Sequence, residues 1–322
     1  MSFKSRIWIG AIMITLITGV LIGCGNDASD KDPRSKEKLQ VYASLYPLAF
    51  LAEEVGKEQI EVHNLVPPGV ESHDYEPTAK DLAAMQEADL LLINGIGFEG
   101  WVDKAKPLLK TKETSVVDTS KSIPLLHFNE EHDYHHEDGH SDEHDHGEYD
   151  PHVWLNPLNA KKQAKTIRDA LIKKDRKHQK EYETNYEKLA DRLEKLDQKL
   201  MKIAKNSKSN TIVVSHASFG YLADRYGLKQ VAVSGLSPSS EPSAKKLKKV
   251  VEVAKKNKVS TIYFDALVTN KVANTVKKEV GARSLTLNPV EGLTSEQHAK
   301  GEDYFTIMEQ NGENLKIGLN GK

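Results

Sequence analysis

The 322-residue sequence has a single cysteine, Cys24. One thiol excludes an internal disulfide framework and any zinc site built from several cysteines. Aromatic residues make up only 7 % of the chain. No stretch interleaves them with basic residues as nucleic-acid surfaces do, so no nucleic-acid partner is expected. Beyond the first 23 residues no apolar run reaches the roughly 20 residues of a membrane span, so the body is expected to be soluble. There is no His-Glu-x-x-His or comparable sequence, which a zinc hydrolase would use to pair metal ligands with a general base.

The chain start predicts an export signal. Lys4 and Arg6 precede an apolar run from Ile7 to Gly23 that ends in Leu21-Ile22-Gly23-Cys24. A positive n-region and a short apolar h-region read as a signal peptide over residues 1–23. Small residues before a cysteine resemble the lipobox of bacterial lipoproteins, in which the cysteine becomes the lipidated first residue. The alternative, an uncleaved anchor helix, would need a longer run. Residues 24–39 are mostly polar and read as a lipid-anchored tether.

Against these scarcities stands an excess of histidine in one place. Seven of the thirteen histidines are His127, His132, His135, His136, His140, His144 and His146. The stretch from Glu130 to Asp150 adds ten carboxylates and no Lys or Arg. Such a low-complexity tract cannot bury a core, so a solvated loop over 127–148 is expected, with imidazole and carboxylate donors that suit borderline divalent metals. Net charge is −2, but outside the signal segment and those ten carboxylates the rest of the chain is positive. The acidity is therefore local, while lysines read as scattered over helix faces.

The remaining pattern alternates strands and helices. Strands are expected over Leu39–Leu45, Ile60–Leu65, Leu90–Ile93, Thr211–Val214, Thr261–Phe264 and Ser284–Leu287, and helices over Leu48–Val55, Thr78–Ala88, Lys245–Lys255 and Lys271–Val280. Thr78 and Asp81 suit the N-cap and N3 positions. After Pro157, an apolar stripe of Tyr182, Tyr186, Leu189, Leu193, Leu196, Leu200 and Ile203 recurs at steps of four and three. It covers only about three heptads, which suits a spine packed against lobes better than a coiled coil. The predicted fold is α/β with two lobes of mostly parallel sheet, residues 40–177 and 208–322, joined by one long helix at 178–207.

Four places carry candidate ligands. His73 follows a strand, inside Pro67-Pro68-Gly69-Val70-Glu71-Ser72-His73-Asp74-Tyr75-Glu76-Pro77. His152 sits between prolines in Asp150-Pro151-His152-Val153-Trp154-Leu155-Asn156-Pro157. His216 directly follows Val213-Val214-Ser215, and Glu291 lies in Leu287-Asn288-Pro289-Val290-Glu291-Gly292-Leu293. Each alone has an ordinary reading: a turn histidine, a loop-end histidine, a buried histidine bonded to backbone, a surface carboxylate. Together they offer two groups from each lobe, three imidazole nitrogens and one oxygen. That is a sensible tetrahedral zinc set, whereas manganese would favour more oxygen donors.

On these residues the chain resembles the zinc-specific solute-binding lipoproteins of ABC importers, the cluster A-I (ZnuA/AdcA-type) group. Further matching segments are Tyr149-Asp150-Pro151-His152, Ser215-His216-Ala217-Ser218-Phe219-Gly220-Tyr221, Gly235-Leu236-Ser237-Pro238 and Glu241-Pro242-Ser243. The resemblance implies two Rossmann-like lobes bridged by a rigid helix, with the metal in the interlobe cleft, and no enzymatic activity. It implies His73, His152 and His216 as ligands to transported Zn2+. Asn288 stands where some members carry an aspartate, so Glu291 is the expected fourth ligand, with Glu71 or water as alternatives. It further implies a permease and its ATPase as partners, a monomer held on the outer face of the bacterial cell membrane through Cys24, and the His-rich loop as an auxiliary gatherer of metal. A manganese-binding importer component is the nearest alternative function, and a metal-dependent adhesin a more distant one.

Overall fold

The computed structural model describes residues 38–109, 114–128, 149–268 and 271–321. The expected signal peptide, Cys24, nearly all of the tether, and His132, His135, His136, His140, His144 and His146 lie outside the described residues.

Two four-stranded sheets form the frame, and every pairing in them is parallel. The first contains β1 (Leu39–Ala43), β2 (Ile60–Asn64), β3 (Leu90–Ile93) and β4 (Ser115–Asp118) in the order β2-β1-β3-β4. The second contains β5 (Thr211–Val214), β6 (Lys229–Ala232), β7 (Thr261–Phe264) and β8 (Arg283–Thr286) in the order β6-β5-β7-β8. The two orders are the same topology repeated. In each, the chain reverses direction across the sheet after its second strand, which opens a crevice at the carboxyl ends of the central strands.

Helices cover both sheet faces, as an all-parallel sheet requires. The first half supplies α1 (Tyr46–Gly56), α2 (Ala79–Gln86), α3 (Val102–Leu109) and α4 (Pro157–Lys174). The long α5 (Gln179–Lys205) follows, then α6 (Gly220–Tyr226), α7 (Ala244–Lys256), α8 (Lys271–Val280), α9 (Ser295–Lys300) and α10 (Tyr304–Leu319). One apolar cluster under α2 and α3 contains Met85, Leu91, Ile93, Trp101 and Val102. Its counterpart under α7 and α8 contains Val213, Val250, Ile262, Ala273 and Val276.

The largest cluster spans both halves of the chain. Val41 and Leu92 of the first sheet and Ile212, Val214 and Tyr263 of the second belong to it, together with α1, α4, α6 and α10. Tyr182, Leu189, Leu193, Leu196 and Leu200 of α5 run through it, so the apolar stripe packs as a spine. Each such side chain removed from water contributes roughly 1.5–3 kcal/mol, and a core shared in this way resists wide separation of the lobes.

Local signals place the helix starts. Thr78 accepts from Asp81 N at 3.2 Å while the Asp81 carboxylate accepts from Thr78 N at 2.8 Å, a complete capping box that opens α2. Tyr75 also donates to Asp81, at 3.0 Å, tying the cap to the loop that carries His73. Thr78→Ala is expected to destabilise the protein by about 1 kcal/mol, read as a shifted urea midpoint at unchanged slope. Among the described residues no helix is long and apolar enough to cross a membrane.

Candidate metal centre

All four candidate ligands stand on segments that leave the carboxyl ends of strands. His73 lies in the loop after β2, His152 on the stretch between β4 and α4, His216 two residues past β5, and Glu291 in the loop between β8 and α9. The structure brings them together: one donor atom from each lies within 4.8 Å of every other. His73 Nε2 is 3.2 Å from His152 Nε2. Glu291 Oε1 is 3.5 Å from His73 Nε2, 3.2 Å from His152 Nε2 and 3.5 Å from His216 Nε2. Four ligands at zinc bond lengths of roughly 2.0–2.1 Å and tetrahedral angles would stand about 3.3 Å apart. These side chains could therefore hold one such ion with little movement.

The site is dry. His152, His216 and Glu291 are fully buried, and His73 is 10 % exposed at its side chain. Neither oxygen of Glu291 and neither ring nitrogen of His216 has an aligned hydrogen-bond partner. Buried polar atoms left this way are costly, and a cation between the two side chains would engage His216 Nε2 and a Glu291 oxygen. Burial opposes charge on Glu291, but the adjoining His73, His152 and His216 outweigh it and hold the carboxyl well below its ordinary value.

Neighbouring groups orient the candidate ligands unequally. Asp150 Oδ1 accepts from His152 N at 2.9 Å and lies 2.8 Å from His152 Nδ1. That bond assigns the Nδ1 proton and leaves the Nε2 lone pair for the centre. Asp150 comes this close because Gly220 has no side chain; a Cβ there would overlap the Asp150 carboxylate. His216 lacks an equivalent bond. Asp265 Oδ2 is 3.7 Å from His216 Nδ1, too long for a hydrogen bond. Burial, with help from the Glu291 charge and against His216, pushes Asp265 up to about 7.

Glu291 is delivered by a clamped loop. Asn288 N donates to Asn311 Oδ1 at 2.8 Å, and Asn311 Nδ2 donates to Asn288 O at 2.7 Å. The Asn288 side chain accepts from Val290 N at 2.7 Å. Val290 is thereby held at φ +58°, a strained position for a β-branched residue, one residue before Glu291. Trp154 Nε1 donates to Pro289 O at 2.7 Å, linking this loop to the His152 segment. Across the cleft, Gly69, at φ +86°, donates to Leu293 O at 2.7 Å, and Ser72 Oγ donates to Glu291 O at 3.3 Å.

Glu71 stands next to the group of four. One of its oxygens accepts from His73 N at 3.0 Å and the other has no partner. Burial, then the Glu291 charge, raises its carboxyl to about 7. His127 is the only tract histidine among the described residues, and it is exposed. It pairs with Tyr149 in an isolated antiparallel bridge with ring centroids 4.4 Å apart, so the tract is rooted just before His152.

Several neighbours of the site were not singled out from the sequence. Phe98 packs on His73, with ring centroids 4.6 Å apart. Buried Glu99 fixes the turn beneath it by accepting from Ser44 Oγ at 2.5 Å, Asn94 N at 2.7 Å and Gly95 N at 3.0 Å. Asp150 reads in sequence as one more tract carboxylate; its spacing two residues before His152, across a proline, is the available signal. Asp265 directly follows β7, and that strand-end position is its available signal, whereas Asn311 carries none, because only the docking of α10 brings it near.

The family model described as zinc-uptake complex component A, periplasmic (ZnuA), matches residues 41–318. The chain belongs to this family. The match runs from β1 into α10 and so includes both sheets and all four clustered residues. The chain is 38 % identical over 314 residues to the high-affinity zinc uptake system protein ZnuA of Bacillus subtilis, covering 97 % of this chain and 98 % of that one. It is 36 % identical over 308 residues to the zinc-binding lipoprotein AdcA of Streptococcus pneumoniae, covering 96 % of this chain but 60 % of AdcA. The Zn(II)-bound ZnuA-like domain of that AdcA superposes with a TM-score of 0.74 at 36 % identity, covering 88 % of this chain and all of the domain. As a ZnuA-family protein, the chain is a component of metal uptake.

Proposed function

We propose that the chain captures Zn2+ outside the cytoplasm and delivers it to an ABC permease driven by its ATPase subunit. The observation that carries this reading is the convergence of three imidazole nitrogens and one carboxylate oxygen in a dry cleft at spacings suited to tetrahedral zinc. His73, His152, His216 and Glu291 are the proposed ligands. Glu291 is favoured over Glu71 because its Oε1 lies within 3.5 Å of Nε2 on all three imidazoles, whereas Glu71 is engaged with the His73 backbone. The protein binds and releases its cargo unchanged and is not an enzyme. It works as a monomer, anchored to the outer face of the cell membrane through a lipid on Cys24. The histidines of 127–148 form an exchanging auxiliary store of metal. Cells lacking the chain and grown under zinc chelation should regain zinc accumulation with the native gene and not with His216→Ala. Equal rescue by both would overturn the reading.

Protons compete with the metal. Burial disfavours charge on His152, but the Asp150 and Glu291 carboxylates outweigh it and raise the imidazolium to about 9. The metal-free protein thus carries a proton that zinc must displace. Loading at pH 7–8 is expected to release about one proton from this group, about half of one near pH 9, and none well above it. The same raised value stabilises the metal-free fold fully below pH ~6.5, a contribution lost as pH rises through about 9. Calorimetry in buffers of different ionisation enthalpy reads the release; a pH-independent zero would contradict histidine ligation.

A further inference from the structure

We propose that the outer helical layer of the second sheet, α7 with α8, is a docking surface for anionic phospholipid headgroups. These two helices carry nine lysines against Glu252 and Glu279. Lys245, Lys248, Lys255, Lys256, Lys271 and Lys278 are exposed. The repeated topology supplies an internal comparison. The matching layer on the first sheet, α2 with α3, carries three lysines against two aspartates. Both layers cover one face of sheets with the same strand order, so covering a sheet does not itself demand the charge.

The chemistry of the layer selects the partner. It has no arginine, the side chain suited to forked recognition of individual carboxylates or phosphates on a protein face. Lysine is a hydrated point charge suited to a diffuse anionic plane, where each one near the surface contributes about 1 kcal/mol. The buried apolar side chains, Val250, Ala254, Ala273 and Val276, face the sheet. Among the described residues the exposed large hydrophobics are Val70, Leu108, Leu125 and Ile317, none of them on α7 or α8. The layer therefore offers adsorption without insertion, and adsorption of that kind is sensitive to salt. Weak adsorption suffices where a tether keeps the local concentration high, and in this respect the inference rests on the membrane-anchored reading above. Lying on this layer, the second sheet is parallel to the bilayer, and its strand ends, with His216 and Glu291, open along the membrane plane.

The test uses lipid-free chain from residue 25 onward, so that it does not depend on the anchor, with vesicles of phosphatidylcholine alone or with about 30 % phosphatidylglycerol. Sedimentation with the anionic vesicles only, at about 0.1 M salt and not at about 1 M, is expected. The variant K245Q/K248Q/K255Q/K256Q should lower partitioning at least about tenfold. The comparison variant K80Q/K104Q/K106Q, on the matching layer of the first sheet, should leave it unchanged. Both variants should still take up one tight zinc, which shows that they are folded. Failure of the native chain to sediment with anionic vesicles, equal binding to neutral ones, or unchanged binding by the four-lysine variant would overturn the proposal. Loss of zinc binding by the native chain would instead strike the transport reading and leave the vesicle result standing.

Discussion

His216→Ala is expected to weaken zinc binding by about 10²–10³-fold while leaving the metal-free fold nearly as stable as before. Structural zinc sites are worth roughly 10–16 kcal/mol, so one ligand in four carries about 3–4 kcal/mol. The stability half of this prediction follows from the environment of the ring. His216 is fully buried, yet neither of its nitrogens has an aligned hydrogen-bond partner, so its removal breaks none. His152→Ala should behave differently. Its Nδ1 lies 2.8 Å from buried Asp150, and truncation strands that carboxylate. Zinc affinity should fall by a similar factor, with an added loss of about 3 kcal/mol in metal-free stability. Competition against a chromophoric chelator, with thermal unfolding of the metal-free proteins, separates the two effects. Equal destabilisation by both variants would mean that Asp150 does not support His152.

Asn311→Leu should cost about 2–4 kcal/mol in stability and about 10–100-fold in zinc affinity, although the hydrogen bonds of Asn311 go to Asn288 and Met308 and to none of the four clustered residues. The substitution leaves Asn288 N and Asn288 O without partners in a buried setting. Those two bonds hold the residue whose side chain fixes Val290 in its left-handed conformation, and Val290 in turn aims Glu291. If the loop is held in this way, the d–d spectrum of the cobalt-substituted protein should change in Asn311→Leu as the carboxylate loosens. A loss of stability with an unaltered cobalt spectrum and unaltered affinity would show that the clamp serves the fold alone.

These cases show which parts of the molecule the sequence discloses. His73, His152 and His216 stand out because each follows an apolar strand or sits between prolines, so local pattern places them at strand ends. Glu291 emerges because the family resemblance implies a fourth ligand in this loop, and Asn288, at the position where some members carry an aspartate, is a carboxamide and a poor metal ligand. The role Asn288 does have, bonding Asn311 and Val290, depends on the docking of α10 and leaves no mark in the linear pattern. The α10 helix is itself hard to read because it contains Gly312 and Gly318, residues that normally weaken helices. The fold explains both. A Cβ at Gly312 would press on Leu200 of α5, and one at Gly318 would overlap Tyr263 of β7. The edge strand β6, Lys-Gln-Val-Ala, is short and half polar, and parallel pairing with β5 defines it more than its own propensity does. The α7 lysines form three doublets in sequence, and the crossover that lays α7 and α8 on one sheet face adds those of α8 to them.

The most direct test of the central claim is a zinc titration of the chain lacking Asn129–Gly147. The His127–Tyr149 bridge holds the ends of that segment together, so the excision should close without disturbing His152. One tight zinc equivalent is predicted to remain, with manganese bound weakly, and to disappear when His216→Ala is added. Loss of all tight binding on excision, or its survival in the His216→Ala protein, would place the metal outside the cleft formed by His73, His152, His216 and Glu291.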